Sequence, residues 1–274
     1  MDCGTISLSG ERWFGMHKTK WEGKVRLFGF PFAGAGATMF RNWSHYLPQE
    51  VEIWPVQLPG RENRIAEPPL TRLSELVPLL VDLLLPHLTK TFAFFGHSMG
   101  ALISFETARE LRRRGAAQPS ALLLSGKYAP QRVREELRYS LSDDEFLAEL
   151  RALNRSRTPL DLELELMRFM LPTIRADFSV CDTYLYVEEP PLSCPLVVWG
   201  GLHDPEASPA DIAAWRMHTT GPFSVRMFEG DHFFLLQSEA QFLESVASEL
   251  DRLFFCAHRE KSIDPAAIFE TRLG

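Results

Sequence analysis

Six short apolar runs punctuate the chain: Val25–Phe30, Val51–Leu58, Phe92–Phe95, Ala121–Leu124, Leu196–Trp199 and Phe223–Phe228. Most are apolar throughout rather than alternating, the pattern of strands covered on both faces. Between them, apolar residues recur at the three- and four-residue spacing that forms one stripe on a helix. Thr71 stands where a cap would precede Leu73, Leu76, Val77 and Leu80. A second pattern runs from Met99 to Arg114 and stops at Gly115, a residue suited to a helix C-terminus. Ser208-Pro209 with Asp211 spells a helix start, as do Ser238 and Gln241 ahead of Phe242, Val246 and Leu250. Strands alternating with helices predict an α/β fold, with a mostly parallel sheet and right-handed crossovers.

One interval breaks the alternation. About seventy residues separate Gly126 from the strand at Leu196, where a crossover needs only a dozen or so. Within it, Ser142 and Glu145 have capping-box spacing ahead of Phe146, Leu147, Leu150 and Leu153. Thr158-Pro159 opens a helix with Leu160, Leu164, Met167 and Leu171 on one face and Leu162, Leu166 and Phe169 on another. A helix apolar on two faces is expected to cover something on both sides. A third helix, from Pro172 to about Val187, carries Ile174, Phe178, Cys181 and Leu185 in a stripe. Periodicity leaves two readings open: a lid over a ligand site, or a helical subdomain packed on the core. The chain thus divides into an N-terminal extension (1–22), a main domain (23–255) with the insertion at about 128–190, and a C-terminal tail (256–274). Both ends are expected at the periphery.

Composition narrows the class. With 274 residues, 45% apolar and 24% charged, the chain is neither disordered nor collagenous and can bury a large core. A net charge of −7 argues against a nucleic-acid partner, which calls for a basic face. The one dense basic run, Arg112-Arg113-Arg114, ends a predicted helix, where cations suit the negative end of the dipole. Cys3, Cys181, Cys194 and Cys256 have no CxxC or ligand spacing and fit a reducing cytosol. The first twenty residues carry Glu11, Arg12, His17, Lys18 and Lys20, unlike a secretory leader. The longest apolar stretch, Leu76 to Leu88, contains Asp82 and two prolines and is too short to span a bilayer. A cytoplasmic protein with no membrane partner is expected.

The sharpest chemical signal is Gly96-His97-Ser98-Met99-Gly100, set between the apolar FAFF and the helical ALISFETARELRRR. G-x-S-x-G between a strand and a helix is a nucleophile elbow, which exposes the serine at a helix N-terminus. The glycines answer to a sharp turn crowded by neighbouring chains. A serine hydroxyl needs a base, and in this architecture an acid and then a histidine follow in chain order. Asp204 lies just past the run Leu196–Trp199, and His232 just past Phe223–Phe228, so both fall at the strand edge that carries Ser98. His17, His45, His87, His218 and His258 lie in tails, at helix ends or ahead of the nucleophile. His97 is expected to support the turn, and His203 to be incidental. Asp231 adjoins His232, but adjacent side chains diverge, so Asp204 is the better orienting acid; Asp177, Asp182 and Asp211 are its rivals. A metal set of His203, Asp204 and His232 would lack a ligand framework and leave the elbow unexplained. For the oxyanion, one donor is expected at the amide of Met99 and another in Phe30-Pro31-Phe32-Ala33-Gly34-Ala35-Gly36, at Ala33 or its neighbour Phe32. That loop lacks a full dinucleotide G-x-G-x-x-G.

FPFAGAG, PVQLPGRENR, FFGHSMGAL, LLLSGKYAP, LPTIRADF, GLHDP and EGDHFFL stand in the order and spacing of the type II thioesterases, over about residues 23–252. The chain resembles these stand-alone enzymes of polyketide and nonribosomal peptide synthesis, and is similar to the medium-chain fatty-acyl thioesterases of fatty acid synthesis. The resemblance implies an α/β-hydrolase fold with a helical lid, which favours the first reading of the insertion. It also implies Ser98, Asp204 and His232 as the triad and Met99 and Ala33 as oxyanion amides. Phe32, Phe146, Leu150, Leu166, Met170 and Phe178 are expected along the acyl path. The implied substrate is an acyl group on the phosphopantetheine arm of an acyl or peptidyl carrier protein, with no metal or dissociable cofactor and a monomeric enzyme. Arg132, Arg134 and Arg138 are candidate contacts to the acidic carrier. Asp231 stands where glycine is common in the family, and the N-terminal extension is longer than usual. A carboxylesterase or lipase, an acyltransferase and a non-catalytic carrier-binding protein are the alternatives.

Overall fold

The computed structural model describes residues 10–14, 23–132, 137–153 and 160–256, apart from the side chains of 10–11 and 160–165. In it, β1 (Val25–Phe30), β2 (Val51–Pro55), β3 (Thr91–His97), β4 (Leu122–Ser125), β5 (Leu196–Gly201) and β6 (Phe223–Phe228) form one sheet, ordered β2-β1-β3-β4-β5-β6. Every neighbouring pair is parallel. β2 stops short of the predicted Leu58. Beyond Pro55, the Val56 N–H reaches Gly29 O and the Gln57 N–H reaches Trp13 O, each at 2.8 Å.

The apolar runs are explained by cores on both sides of the sheet. Phe28, Phe92, Phe94, Leu122, Leu124, Leu196 and Val198 face one core, shared with α2 (Leu73–Leu84) and α3 (Met99–Arg113). The alternating residues Leu27, Ala93, Phe95, Leu123, Val197 and Trp199 face the other, shared with α8 (Glu239–Phe254). The Ser208–Asp211 capping box forms at α6 (Pro209–Ala213), and the Ser142–Glu145 box forms at α4 (Asp143–Leu153). Two predicted caps do not form. Arg72, not Thr71, flanks α2, without a side-chain cap. Ser238 joins α8 to the short helix α7 (Phe234–Gln237); its N–H is taken by Phe234 O, and its side chain makes no cap.

The insertion between β4 and β5 holds α4 and one long helix, α5 (Leu160–Asp182), where two were expected to meet at Pro172. Pro172 is exposed, as is Arg168, whose carbonyl it cannot serve. Water can satisfy that carbonyl, so the helix passes through the proline. Thr158-Pro159 lies outside the described residues. Phe146, Leu147, Leu153, Leu171 and Phe178 form a separate small core. The second apolar face of α5 does not cover anything among the described residues: Leu166 is 61% and Phe169 68% exposed. Leu185, past the end of α5, is 83% exposed and is not part of a buried stripe.

Part of the N-terminal extension is core rather than periphery. In α1 (Gly10–Trp13) and just after it, Trp13 is fully buried and Phe14 pairs with Val56. The Arg64 guanidinium lies 4.0 Å from the Trp13 ring centre, and its charge is held by Glu67 at 2.6 Å. Removing a buried indole loses its transfer energy and leaves a cavity. Trp13→Ala is therefore expected to cost about 3–5 kcal/mol, read from urea unfolding. A loss within error of zero would return this segment to the periphery.

Candidate active site

Gly96, Ser98 and Gly100 fix a turn with no spare volume. A Cβ on Gly96 would lie 2.0 Å from Gly100 O, and one on Gly100 would lie 2.1 Å from Phe30 O. Ser98 itself has φ 54° and ψ −116°, a conformation that costs an L-residue energy and persists only where its surroundings dictate it. Here the Ser98 N–H donates to Ser125 O at 2.8 Å, tying the turn to β4. The half-buried side chain is delivered to the N-terminus of α3.

From there a hydrogen-bond chain crosses the edge of the sheet. Ser98 Oγ lies 2.9 Å from His232 Nε2, and His232 Nδ1 lies 3.0 Å from both oxygens of Asp204. Asp204 can only accept, so Nδ1 carries the proton and Nε2 is left to accept from the serine. The Glu206 N–H donates to Asp204 Oδ1 at 2.8 Å, fixing the carboxylate from behind. The imidazole and carboxylate are buried. This chain can take a proton from Ser98 while a negative charge stands behind the imidazole.

The rival acids are engaged elsewhere. Asp231 accepts from the Phe233 N–H and from Gln237, closing the turn into α7. Asp211 caps α6, and Asp182 pairs with Arg138. Asp177 is bound to Arg61 and to the Gly34 N–H. His203 is exposed and lies 3.4 Å from Glu229, apart from the Asp204–His232 pair.

The loop after β1 lies beside the elbow. Gly34 has φ 81°, and the Phe32 ring packs against His97 and Phe233 at centroid distances of 5.7 and 5.3 Å. Met99 is the first residue of α3, so its N–H has no acceptor within the helix. Phe146 and Phe178 pack edge to face at 5.0 Å in the insertion core, with Leu150 beside them and Ala33, Ile174 and Phe233 at its border. Met170 is half-buried outside that cluster, and Leu166 points to solvent. The expected acyl-path residues are thus brought together only in part.

The chain is similar to known proteins over most of its length. A family model described as the thioesterase domain matches residues 25–254. The gramicidin S biosynthesis protein GrsT of Aneurinibacillus migulanus is 43% identical over 87% of this chain and 94% of its own. The chain belongs to the thioesterase family. Among solved structures, the RedJ thioesterase of the prodiginine pathway in Streptomyces coelicolor superposes with a TM-score of 0.80 at 38% identity, covering 84% of this chain and 87% of that one. The type II thioesterase BorB of the borrelidin cluster gives 0.76 at 34% identity, covering 90% and 97%.

In this thioesterase one of the expected carrier contacts is misassigned. Arg138 is buried, not displayed: it pairs with Glu206 at 2.7 Å and with Asp182 at 3.2 Å. Sequence shows an arginine but not the carboxylates that neutralise it. Arg132 is more than half exposed and lies 3.6 Å from Asp211, while Arg134 is outside the described residues. Arg61 and Asp177, in the segments LPGRE and LPTIRADF, form a buried pair that their separation in sequence conceals.

His97 fills the space beneath the site. It is buried, its Nδ1 lies 3.0 Å from Ser125 Oγ, and its ring centre lies 5.1 Å from that of His232. Burial, and secondarily the neighbouring His232, hold its pKa well below the usual imidazole value. His218 packs against Phe105 and Trp215 and is pushed down to about 4, first by burial and then by Arg109. Both rings fold neutral. As pH falls below about 6.5, the unfolded chain takes up protons that the folded rings reject, so stability falls with pH. His218 alone is expected to cost roughly 2 kcal/mol between about pH 7.5 and 5. Urea melts at both pH values check this, with His218→Gln showing a shallower decline. An equal decline in the variant contradicts the assignment.

Proposed function

We propose that this thioesterase is of type II and hydrolyses acyl thioesters carried on the phosphopantetheine arm of an acyl or peptidyl carrier protein, editing or unloading a polyketide, nonribosomal peptide or fatty acid synthase. The observation that carries the reading is the hydrogen-bond chain Ser98–His232–Asp204 at 2.9 and 3.0 Å. In this reading Ser98 Oγ attacks the thioester carbonyl as His232 Nε2 takes its proton. The negative charge on the carbonyl oxygen is held by the N–H groups of Ala33 and Met99 at the helix N-terminus. Asp204 keeps Nδ1 protonated and stabilises the imidazolium. The thiol leaves readily, since its pKa of about 8.5 is far below that of an alcohol, and it takes the proton from His232. Water then attacks the acyl-serine with His232 again as base, releasing the acid and the free serine.

The helical insertion at about 128–190 acts as the lid in this proposal. Phe32, Phe146, Leu150 and Phe178 supply apolar lining for the acyl path in this reading. The enzyme works as a cytoplasmic monomer; among the described residues no helix is long and apolar enough to cross a membrane.

Ser98→Ala is expected to lower turnover of acyl-loaded carrier protein by at least about 10³-fold with little change in melting temperature, and Asp204→Asn by about 10³- to 10⁴-fold. Carrier-bound thioesters should be cleaved faster than matched simple oxygen esters. Turnover unchanged in Ser98→Ala rejects the nucleophile; faster cleavage of the simple esters favours an esterase.

A further inference from the structure

The loop that carries Ala33 is held by an ion pair from elsewhere in the chain. Arg61, between β2 and α2, meets Asp177 on α5 in a two-pronged bridge: Nη1 donates to Oδ2 and Nη2 to Oδ1, both at 2.7 Å. Both side chains are almost wholly buried. Asp177 Oδ2 also accepts from the Gly34 N–H at 2.7 Å, and Arg61 Nη1 also donates to Ala35 O at 3.1 Å. Gln57 extends the brace, accepting from the Ala37 N–H at 2.6 Å and donating to Arg61 O at 3.0 Å.

These bonds act on successive peptide units. The Ala33 N–H belongs to the same rigid unit as Phe32 C=O, which accepts from the Ala35 N–H at 3.0 Å. The next unit, Ala33 C=O with Gly34 N–H, is the middle peptide of that turn. Gly34 stands at its third position with φ 81°, as a type II turn requires. The middle peptide is the unit whose flip separates type II from type I, and Asp177 binds its N–H. A Cβ on Gly34 would meet Ile174, one turn before Asp177 on α5, at 2.9 Å. The insertion helix therefore touches the loop by packing and by charge.

We propose that Asp177, oriented by Arg61, is a positioning residue: the pair anchors the Phe32–Ala35 turn at the Gly34 N–H and Ala35 O, and so holds the loop where the Ala33 N–H meets the developing oxyanion. This rests on the assignment of Ala33 as an oxyanion donor above. It makes the insertion part of the catalytic geometry as well as a cover, since α5 and the donor loop share one carboxylate.

The test pairs Arg61→Met with Asp177→Leu in one protein, which removes both buried charges at similar volume and so leaves no unpaired charge. The readouts are melting temperature, kcat, KM and the affinities of two unreactive ligands: an acyl-pantetheine thioether, which mimics bound substrate, and the matching trifluoromethyl ketone, whose adduct with serine carries an oxyanion. We expect kcat and ketone affinity to fall together by about 10²-fold, with KM and thioether affinity within about threefold. Asp177→Asn, which keeps the side-chain shape and one acceptor oxygen, is expected to give the same split at about tenfold; it carries the test if the double variant does not fold. A folded variant with unchanged kcat and ketone affinity overturns the proposal, as does a variant in which both ligands weaken equally. If the wild-type protein binds the ketone no better than the thioether, it is the assignment of the oxyanion donors that fails instead.

Discussion

The architecture turns on a close approach of backbones at the end of β3. Gly96 and Gly100 leave no room for a Cβ, and Ser98, midway between them, is held at positive φ. Such a conformation survives only when its surroundings over-determine it. The parallel sheet supplies that constraint from both sides: β4 binds the Ser98 N–H, and Phe30 O at the end of β1 abuts Gly100. The loops after β1, β5 and β6 then reach the turn from the same sheet edge, bringing Ala33, Asp204 and His232 with them.

Around this edge, buried charge does what apolar packing alone could not. Apolar contacts are non-directional, whereas charge-assisted hydrogen bonds fix orientation. α5 contributes two carboxylates to this end. Asp177 reaches the loop after β1 through Arg61 and Gly34. Asp182 reaches the loop after β5 through Arg138 and Glu206, whose own N–H holds Asp204. The insertion is thus fastened on both flanks of the candidate site. Buried ion pairs are weak contributors to net stability but costly to break singly, which suits a role in geometry. Beneath them the neutral His97 fills the space against His232 without adding a competing charge.

Much of this was legible in the sequence for identifiable reasons. Strands covered on both faces read as unbroken apolar runs, so all six were recognisable, with errors only at ends such as Pro55. The elbow, the acid and the histidine announce themselves because strand ends and chain order restrict where they can stand. What stayed hidden depends on partners remote in sequence. Trp13 looks like part of a polar tail until Arg64 and the chain after β2 enclose it. Arg138 looks like a surface cation until Glu206 and Asp182 close around it. Pro172 looks like a break until its exposure lets water serve the freed carbonyl. Leu166 and Phe169 have helical spacing, and periodicity does not tell a covered face from an open one.

In the proposed mechanism acyl transfer passes through Ser98, activated by His232. Rapid-quench mass spectrometry with an acyl-pantetheine thioester tests it most directly. The expected result is a burst of free thiol equal to the enzyme concentration, with the acyl mass appearing transiently on the peptide that contains Ser98. Steady thiol release with no burst, and with the adduct absent or on another residue, contradicts it.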